Sequence, residues 1–239
     1  MAAALVMFAK APIPGEVKTR LSPALTEDEA ATLHGSFVLD TLERTKAAIS
    51  KFKLPTDRFL ACAPSSSHVF FRIMEARHGV TLLDQQGSDL GARMHHIFDH
   101  LCAQGYQRVC LVGTDVPSLP LVHYRDALEA LPRHDLVIGP ARDGGYYLIG
   151  LTRPCPDLFT NIPWSTDHVF DLTRQKAVAA GLKVAVLPTW SDVDTVADLR
   201  ALIDESAADK NRPKQDRVFS TRTAGTLELL AKRLRARQI

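Results

Sequence analysis

The chain has 239 residues, 46% of them hydrophobic and 23% charged, which is ordinary for a globular protein with a buried core. Its 29 basic and 27 acidic residues nearly balance, so composition favours neither a nucleic-acid-binding protein nor a strongly acidic one. The basic residues concentrate at the end, where residues 210–239 hold nine basic and two acidic side chains. We therefore expect a main domain over residues 1–206, with a basic loop and helix over residues 207–239 docked on it.

The sequence lacks the features of secreted and membrane proteins. No apolar run reaches the roughly 18 residues of a membrane helix. The apolar start has no basic leader, and Lys10 and two prolines follow it closely. The four cysteines show no metal-ligand spacing and are expected to be buried, reduced thiols. We predict a cytoplasmic protein without a membrane or nucleic-acid partner, and the oligomeric state is left open.

The strands are predicted from short runs rich in valine, leucine and isoleucine, which alternate with longer helical patterns. This alternation is typical of a mostly parallel sheet with helices on both faces. The candidate strands are residues 3–8, 58–63, 80–83, 108–113, 135–139, 146–151 and 183–187. The interval before the sixth strand is too short for a crossover helix, so we expect antiparallel pairing at one edge. The predicted fold class is α/β, a three-layer α/β/α sandwich with a mixed sheet.

The helices are predicted from capping signals and amphipathic spacing. The first begins at a capping box formed by Thr26 and Glu29 and continues to Ile49. Further helices are predicted over residues 89–102, 121–131, 168–180 and 196–203. Residues 206–215 predict a loop, followed near residues 225–237 by a helix with an apolar face of Leu227, Leu230 and Leu234.

The first candidate site is the loop after the first strand. Ligands of open α/β sheets bind beyond the carboxyl ends of the strands, so this loop is well placed. Pro14 stiffens the loop, Gly15 permits a sharp turn, and Lys10, Lys18 and Arg20 supply positive charge for a phosphate. The alternative is a surface loop with solvated cations, and charge alone does not separate the two.

Asp115 follows the fourth strand directly. A carboxylate held between a buried strand and two prolines is rigidly placed and can bind a hard cation, so Asp115 is a candidate metal ligand and catalytic residue. The alternative, which spacing favours, is an aspartate that caps a helix or a turn.

Asp143, Gly144 and Gly145 lie between the fifth and sixth strands. An Asp-Gly pair in this position is typical of a hairpin turn, which is the simpler interpretation. The two glycines also allow a ligand to approach the backbone, and Asp143 could bind a sugar hydroxyl or act as a general base.

Asp192 and Asp194 follow the last strand. In an extended backbone their side chains lie on the same side, a geometry suited to a divalent ion. Alternatively, Asp194 or Thr195 caps the next helix, with Asp198 in its first turn. Both can hold, and Asp194 is the more rigidly placed metal candidate.

Five segments, taken in order, resemble a known family. They are residues 8–21, 113–117, 143–150, 162–166 and 192–195, which read FAKAPIPGEVKTRL, GTDVP, DGGYYLIG, IPWST and DVDT. Together they resemble bacterial GT-A-like transferases of the nucleotide-diphospho-sugar transferase superfamily, often described as glycosyltransferases and in some cases assigned to arsenosugar biosynthesis. A more distant likeness is to phospholactate guanylyltransferases.

The resemblance implies a GT-A fold over residues 1–206 and assigns roles by motif. In that superfamily the first loop holds nucleotide phosphates, which here implies Lys10, Lys18 and Arg20. An aspartate after a central strand binds Mg²⁺ or Mn²⁺ and a later one completes the site, which implies Asp115 with Asp192 or Asp194. The nucleotidyltransferase loop LxAGxGxRxG is missing here, which weakens the case for nucleotidyl transfer to a sugar phosphate.

Two further segments match the family in part. Residues 86–94, which include Arg93, begin a helix whose backbone N–H groups could meet a base, a ribose or an anion. The favoured alternative is an ordinary helix capped by Ser88 or Asp89. Trp164 could stack on a sugar or a base, although a core position is the commoner fate of such a residue.

Three functions are compatible with these residues. The leading hypothesis is glycosyl transfer from a nucleotide-sugar donor to a small-molecule acceptor, with a metal at Asp115 and Asp194 and with Lys18 and Arg20 offsetting the charge on the leaving nucleotide. The runner-up is nucleotidyl transfer from a nucleoside triphosphate to a phosphorylated small molecule. The third is a nucleotide-binding protein without catalytic activity.

Overall fold

The computed structural model describes residues 2–236, which form a seven-stranded sheet with helices packed on both faces. In chain order the strands are β1 (Ala3–Lys10), β2 (Thr56–Ala63), β3 (Thr81–Asp84), β4 (Arg108–Gly113), β5 (Leu136–Pro140), β6 (Tyr146–Leu151) and β7 (Val184–Val186). The helices are α1 (Glu27–Phe52), α2 (Val69–His78), α3 (Leu90–Ala103), α4 (Leu121–Ala130), α5 (Val169–Ala179), α6 (Val196–Asp209) and α7 (Thr221–Ala236). The predicted α/β class and all seven predicted strands are confirmed.

The strand order across the sheet is β3-β2-β1-β4-β6-β5-β7. All neighbours are parallel except β6, which runs antiparallel to both β4 and β5. The expectation that the antiparallel pairing lies at an edge is therefore wrong. The short hairpin between β5 and β6 turns the chain back into the sheet, and β7 then pairs in parallel with the outer side of β5.

The sheet is buried on both faces because alternate residues of its central strands point to opposite sides. In β1, Leu5 and Met7 pack into a core with α1, α2 and α4, whereas Ala4 and Val6 pack into a second core with α3 and α5. All four of these side chains are fully buried. A helical layer on each side fixes the strand ends and leaves their loops free to form a site.

The structure contains one helix that was not predicted and extends another. Helix α2 was not predicted; its N-cap is His68, whose ring accepts the N–H of Phe70, and a histidine cap is not one of the usual sequence signals. Helix α6 continues six residues beyond its predicted end, into the predicted loop. It does so because Asp209 turns inward and accepts the backbone N–H groups of Val218 and Phe219.

The C-terminal helix α7 packs on α1 and α6. It begins at Thr221, four residues before the predicted start, and the predicted end at Arg237 lies outside the described residues. Arg222 pairs with the buried carboxylate of Asp40 on α1 at 2.8 Å. The apolar face of α7 is buried at Leu227, Leu230 and Leu234.

Among residues 2–236, no helix has both the length and the apolarity needed to cross a bilayer.

Candidate active site

The candidate residues converge at one edge of the sheet. Strands β1, β4, β5 and β7 run in the same direction, so the segments that follow them leave from the same side. Because β6 is antiparallel, the turn between β5 and β6 also lies at this edge. The sheet thereby brings together the loop after β1, Asp115 after β4, Asp143 in the hairpin and the Asp192–Asp194 segment after β7.

Lys18 is a buried cation at the centre of this edge. Its backbone is left-handed, with φ at 52°, at the start of a short helical turn. The side chain is 3% exposed, and Nζ lies 2.8 Å from Oδ1 of Asp115, 3.0 Å from Oδ1 of Asp194 and 2.6 Å from the carbonyl oxygen of Val193. Burial lowers the pKa of Lys18, but the two carboxylates outweigh burial and raise the pKa above its ordinary value.

Asp115 faces Lys18 and His34. Oδ1 of Asp115 lies 3.5 Å from Nδ1 of His34, whose Nε2 lies 3.0 Å from the carbonyl oxygen of Lys10. Burial alone would raise the pKa of Asp115, yet the positive charge of Lys18 and the contact with His34 hold it well below the usual range for aspartate. The carboxylate of Asp115 is therefore already paired with a buried cation of the protein, the ammonium group of Lys18.

Asp143, Asp192 and Asp194 form a separate carboxylate group, in which one oxygen from each residue lies within 4.8 Å of the others. Burial, followed by the charges of Asp143 and Asp194, raises the pKa of Asp192 to about 7. Three carboxylate oxygens held this close together suit a divalent cation, and Mg²⁺ and Mn²⁺ bind oxygen ligands of this kind. These three residues are the best-fitting metal site among the described residues, and Asp115 lies outside the group.

The hairpin turn holds Asp143 in position. Gly144 has φ at 89°, and Oδ1 of Asp143 accepts the N–H of Gly145 at 2.8 Å. A Cβ on Gly144 would lie 2.1 Å from the carbonyl oxygen of Asp167, so only glycine fits there. The turn is therefore confirmed, and because Asp143 also lines the cleft, its role in binding or catalysis stays a prediction.

Asp198 and Asp89 each stabilise the start of a helix. Thr195 caps α6 in a capping box with Asp198, so the side chain of Asp194 is not the cap and faces Lys18. Asp89 caps α3 by accepting the N–H of Ala92 at 2.8 Å. Arg93, one turn further on, points its guanidinium toward the cleft, with Nε bound to the carbonyl oxygen of Gly87.

The cleft has two lobes that meet at Arg20, Asp115 and Asp194. The loop lobe, about 680 Å³, includes Lys10, Lys18, Gln85 and Arg93 in its wall. Pro14 and Gly15 belong to the loop after β1 but do not line this lobe, and Gly15 forms the turn with φ at 80°. The hairpin lobe, about 530 Å³, lies beside the β5–β6 turn and includes Asp143, Gly145 and Asp192.

Trp164 separates the lobes and lines both. Its ring packs against Gly91 at the start of α3, where an added Cβ would lie 2.5 Å from the indole. Ser165, the next residue, has φ at 67° and also lines both lobes. Trp164 thus packs partly in the core and partly lines the cleft, and its stacking on a sugar or a base stays a prediction.

Two residues that line the cleft, Gln85 and His34, were not among the residues predicted from the sequence. Gln85 directly follows β3, and its side-chain nitrogen donates to the carbonyl oxygens of Ala9 at 3.1 Å and Ala61 at 2.8 Å. Both acceptors require the NH₂ group, so the amide oxygen remains as an acceptor in the lobe. The strand-end rule could have identified Gln85. His34 lies inside α1, and no local pattern signals its contact with Asp115.

Three comparisons relate the chain to known proteins. The family model DUF2064, described as an uncharacterized protein conserved in bacteria, matches residues 49–166. A protein described as a nucleotide-diphospho-sugar transferase from Desulfovibrio desulfuricans G20 is 35% identical, with a TM-score of 0.83 over 98% of this chain and 97% of that one. A 2-phospho-L-lactate guanylyltransferase from Methanothermobacter thermautotrophicus is 26% identical over 192 residues, 78% of each chain.

The fold recurs in more distant structures. A cytidylyltransferase from Leptospira borgpetersenii is 14% identical, with a TM-score of 0.54 over 96% of this chain and 94% of that one. At this identity the likeness concerns the fold alone.

Proposed function

Because the chain belongs to the DUF2064 family and has the fold of the nucleotide-diphospho-sugar transferases, we propose that it is a metal-dependent glycosyltransferase. The donor is a nucleoside-diphosphate sugar and the acceptor is a small molecule. The observation that carries the proposal is one cleft with cations in the loop lobe, a three-carboxylate group of Asp143, Asp192 and Asp194 in the hairpin lobe, and Asp194 where the lobes meet. The remaining space of the hairpin lobe leaves room for a second substrate.

The loop lobe suits the nucleotide. Lys10, Arg20 and Arg93 line it, and each can pair with phosphate oxygens. The fixed amide oxygen of Gln85 can accept an N–H from a base, as guanine or uracil presents. The charges of the lobe therefore match a diphosphate, and the polar end of Gln85 matches a base edge.

The three-carboxylate group suits the metal. Asp143, Asp192 and Asp194 would hold Mg²⁺ or Mn²⁺, which supplies positive charge to the diphosphate as it leaves. Lys18 and Arg20 add fixed positive charge at the same place. Asp115 holds Lys18 in this structure, and its binding of the ion stays a proposal from the family resemblance.

The reaction transfers the sugar between two oxygen atoms. The acceptor oxygen bonds to the anomeric carbon, the bond from that carbon to the phosphate oxygen breaks, and the nucleoside diphosphate leaves with the electron pair. The acceptor proton passes to a carboxylate of the hairpin lobe, for which Asp143 is the candidate because it is the exposed member of the group. Trp164 and Gly145 would contact the sugar.

Nucleotidyl transfer is the second candidate, and the guanylyltransferase relative favours it. The same cations and metal would then act on the α-phosphorus of a nucleoside triphosphate, with pyrophosphate as the leaving group. A nucleotide-binding protein without turnover is the third.

The test begins with a thermal-shift screen of nucleotides and nucleotide sugars, with Mg²⁺, with Mn²⁺ and with chelator. A ligand at about a hundred times its Kd adds about 2.7 kcal/mol of stability. Donors that bind are then incubated with acceptors, and the products are separated. Free nucleoside diphosphate supports glycosyl transfer, pyrophosphate supports the second candidate, and metal-dependent binding without product supports the third. Arg93→Ala should remove the shift, whereas Lys46→Ala, an exposed cation on α1, should keep it.

A further inference from the structure

The two lobes differ in charge. Four Lys and Arg side chains line the loop lobe against four acidic ones, of which Asp115 and Asp194 are engaged by Lys18, Asp89 caps α3 and Glu16 is exposed. The hairpin lobe lacks this balance. Its described wall holds one basic side chain, Arg20, against five aspartates at positions 115, 143, 167, 192 and 194.

The cations around the hairpin lobe are already engaged. Arg20 lies 3.7 Å from Asp194, and Lys18 is buried between Asp115 and Asp194. Arg142 lines a neighbouring cavity of about 300 Å³ and not this lobe. A divalent ion at the three-carboxylate group would offset two charges, and His168, 3.4 Å from Asp167, could offset one more when protonated. No lysine or arginine of the described wall then remains for an anionic acceptor.

The rest of the wall is apolar, aromatic and hydroxylic. Trp164 and the half-buried Tyr146 provide flat surface, and Ser165 and Thr166 provide hydroxyl groups. The Trp164 ring is held against Gly91, so its position is fixed before a ligand binds. Flat rings beside hydroxyl groups fit a polar molecule without negative charge, because ring faces contact its carbons and oxygens contact its donors.

We propose that the acceptor is an uncharged or amine-bearing hydroxyl compound and that phosphorylated acceptors are rejected. This inference rests on the proposed function and names the substrate class of its second site. A phosphate group would enter the lobe against carboxylates with no free cation to pair with, and such like-charge juxtaposition suppresses binding. The transfer step is the one already written, with the acceptor hydroxyl as the attacking group.

The test compares alcohols with their own phosphate monoesters, such as glycerol with glycerol 3-phosphate and glucose with glucose 6-phosphate. With a bound donor and Mg²⁺, we expect kcat/KM for the alcohol to exceed that for its monoester by at least about tenfold. Equal or reversed use of the monoesters overturns the inference while the proposed function stands. Loss of metal-dependent nucleotide binding would instead overturn the proposed function, and the inference with it.

A binding measurement tests whether the hairpin lobe rejects a phosphate group, even if neither acceptor class reacts. In a Trp190→Phe background, Trp164 fluorescence is followed while glycerol 3-phosphate is added to the protein saturated with nucleoside diphosphate and Mg²⁺. We expect no saturable binding below about 10 mM, and binding about tenfold tighter in Asp167→Lys. Asp171→Lys makes the same charge change on an exposed position of α5 and should leave the titration unchanged. Saturable binding of the monoester without the Asp167 substitution overturns the inference.

Discussion

Nζ of Lys18 lies 2.8 Å from Oδ1 of Asp115, and the lysine side chain is 3% exposed. The same ammonium reaches Asp194, so one buried cation joins the end of β4 to the segment after β7. The loop after β1, which carries this lysine, is thereby tied to the opposite side of the cleft.

Replacing Lys18 should cost stability. We expect Lys18→Met to lower the free energy of unfolding by about 1–3 kcal/mol, because it leaves carboxylate oxygens without their donor. Denaturant unfolding measures the change. The double variant Lys18→Met/Asp115→Asn should recover part of the loss, since one of the facing charges is gone. Unfolding of Lys18→Met at the wild-type midpoint would contradict the pairing seen here.

Metal binding should depend on the three-carboxylate group. We expect Asp192→Asn to weaken Mn²⁺ binding at least about tenfold, because the ion loses a charged oxygen ligand. The matched control is Asp167→Asn, which removes an exposed charge from the same lobe but lies outside the group. Mn²⁺ titration followed by electron paramagnetic resonance separates them. Equal losses in both variants would mean that only the summed charge of the lobe matters.

Gln85 should select the base. We expect Gln85→Leu to weaken nucleotide binding about 10- to 100-fold, because the base loses an acceptor and two backbone carbonyl oxygens lose their donor. Binding of pyrophosphate, which has no base, should change little. Gln86→Leu alters the exposed neighbouring residue and serves as the control. If pyrophosphate binding falls equally, the substitution has disturbed the loop lobe rather than base contact.

A methyl group at Gly91 should move Trp164. The new Cβ would lie 2.5 Å from the indole and 2.8 Å from the carbonyl oxygen of Phe159, so the ring must shift. We expect Gly91→Ala to change the tryptophan emission and to lower both stability and transfer. Gly225→Ala, in α7 with open space around its Cα, should instead stabilise the protein by up to about 1 kcal/mol. An unchanged emission spectrum in Gly91→Ala would show that the packing is looser than described.

The metal-free protein should lose stability as pH rises from about 4 to about 7. The pKa of Asp192 is raised to about 7 by burial and by its two acidic neighbours, so the folded state holds a proton that the unfolded state releases near pH 4. The stabilising proton is fully bound below the unfolded pKa and is lost as pH rises through the folded pKa. In chelator, the melting temperature should therefore fall between about pH 4 and pH 7 and level off above this range, and Asp192→Asn should remove this part of the decrease. Parallel pH profiles for both proteins would contradict the shifted pKa.

The alternation of apolar runs was sufficient to predict the class of fold. Strand β1 shows why. A strand covered on both faces must be apolar at every position, and every residue from Ala3 to Ala9 is apolar. The candidate loops followed from the strand-end rule, which depends only on chain direction. Helix α2 was not predicted, because its apolar residues lack a clear period and its cap is a histidine.

Which carboxylates lie close together could not be predicted from the sequence. Asp115, Asp143 and Asp194 stand far apart in sequence, and each follows a strand end, so local pattern treats them alike. The order of strands in the sheet separates Asp115 from the other two. Strands β6 and β5 lie between β4 and β7, and their hairpin turn brings Asp143 beside Asp192 and Asp194. Lys18 then meets Asp115 because the loop after β1 folds across the end of β4. Local residue preferences set the elements, whereas contacts between distant segments depend on strand order and loop path, which come from packing of the whole chain.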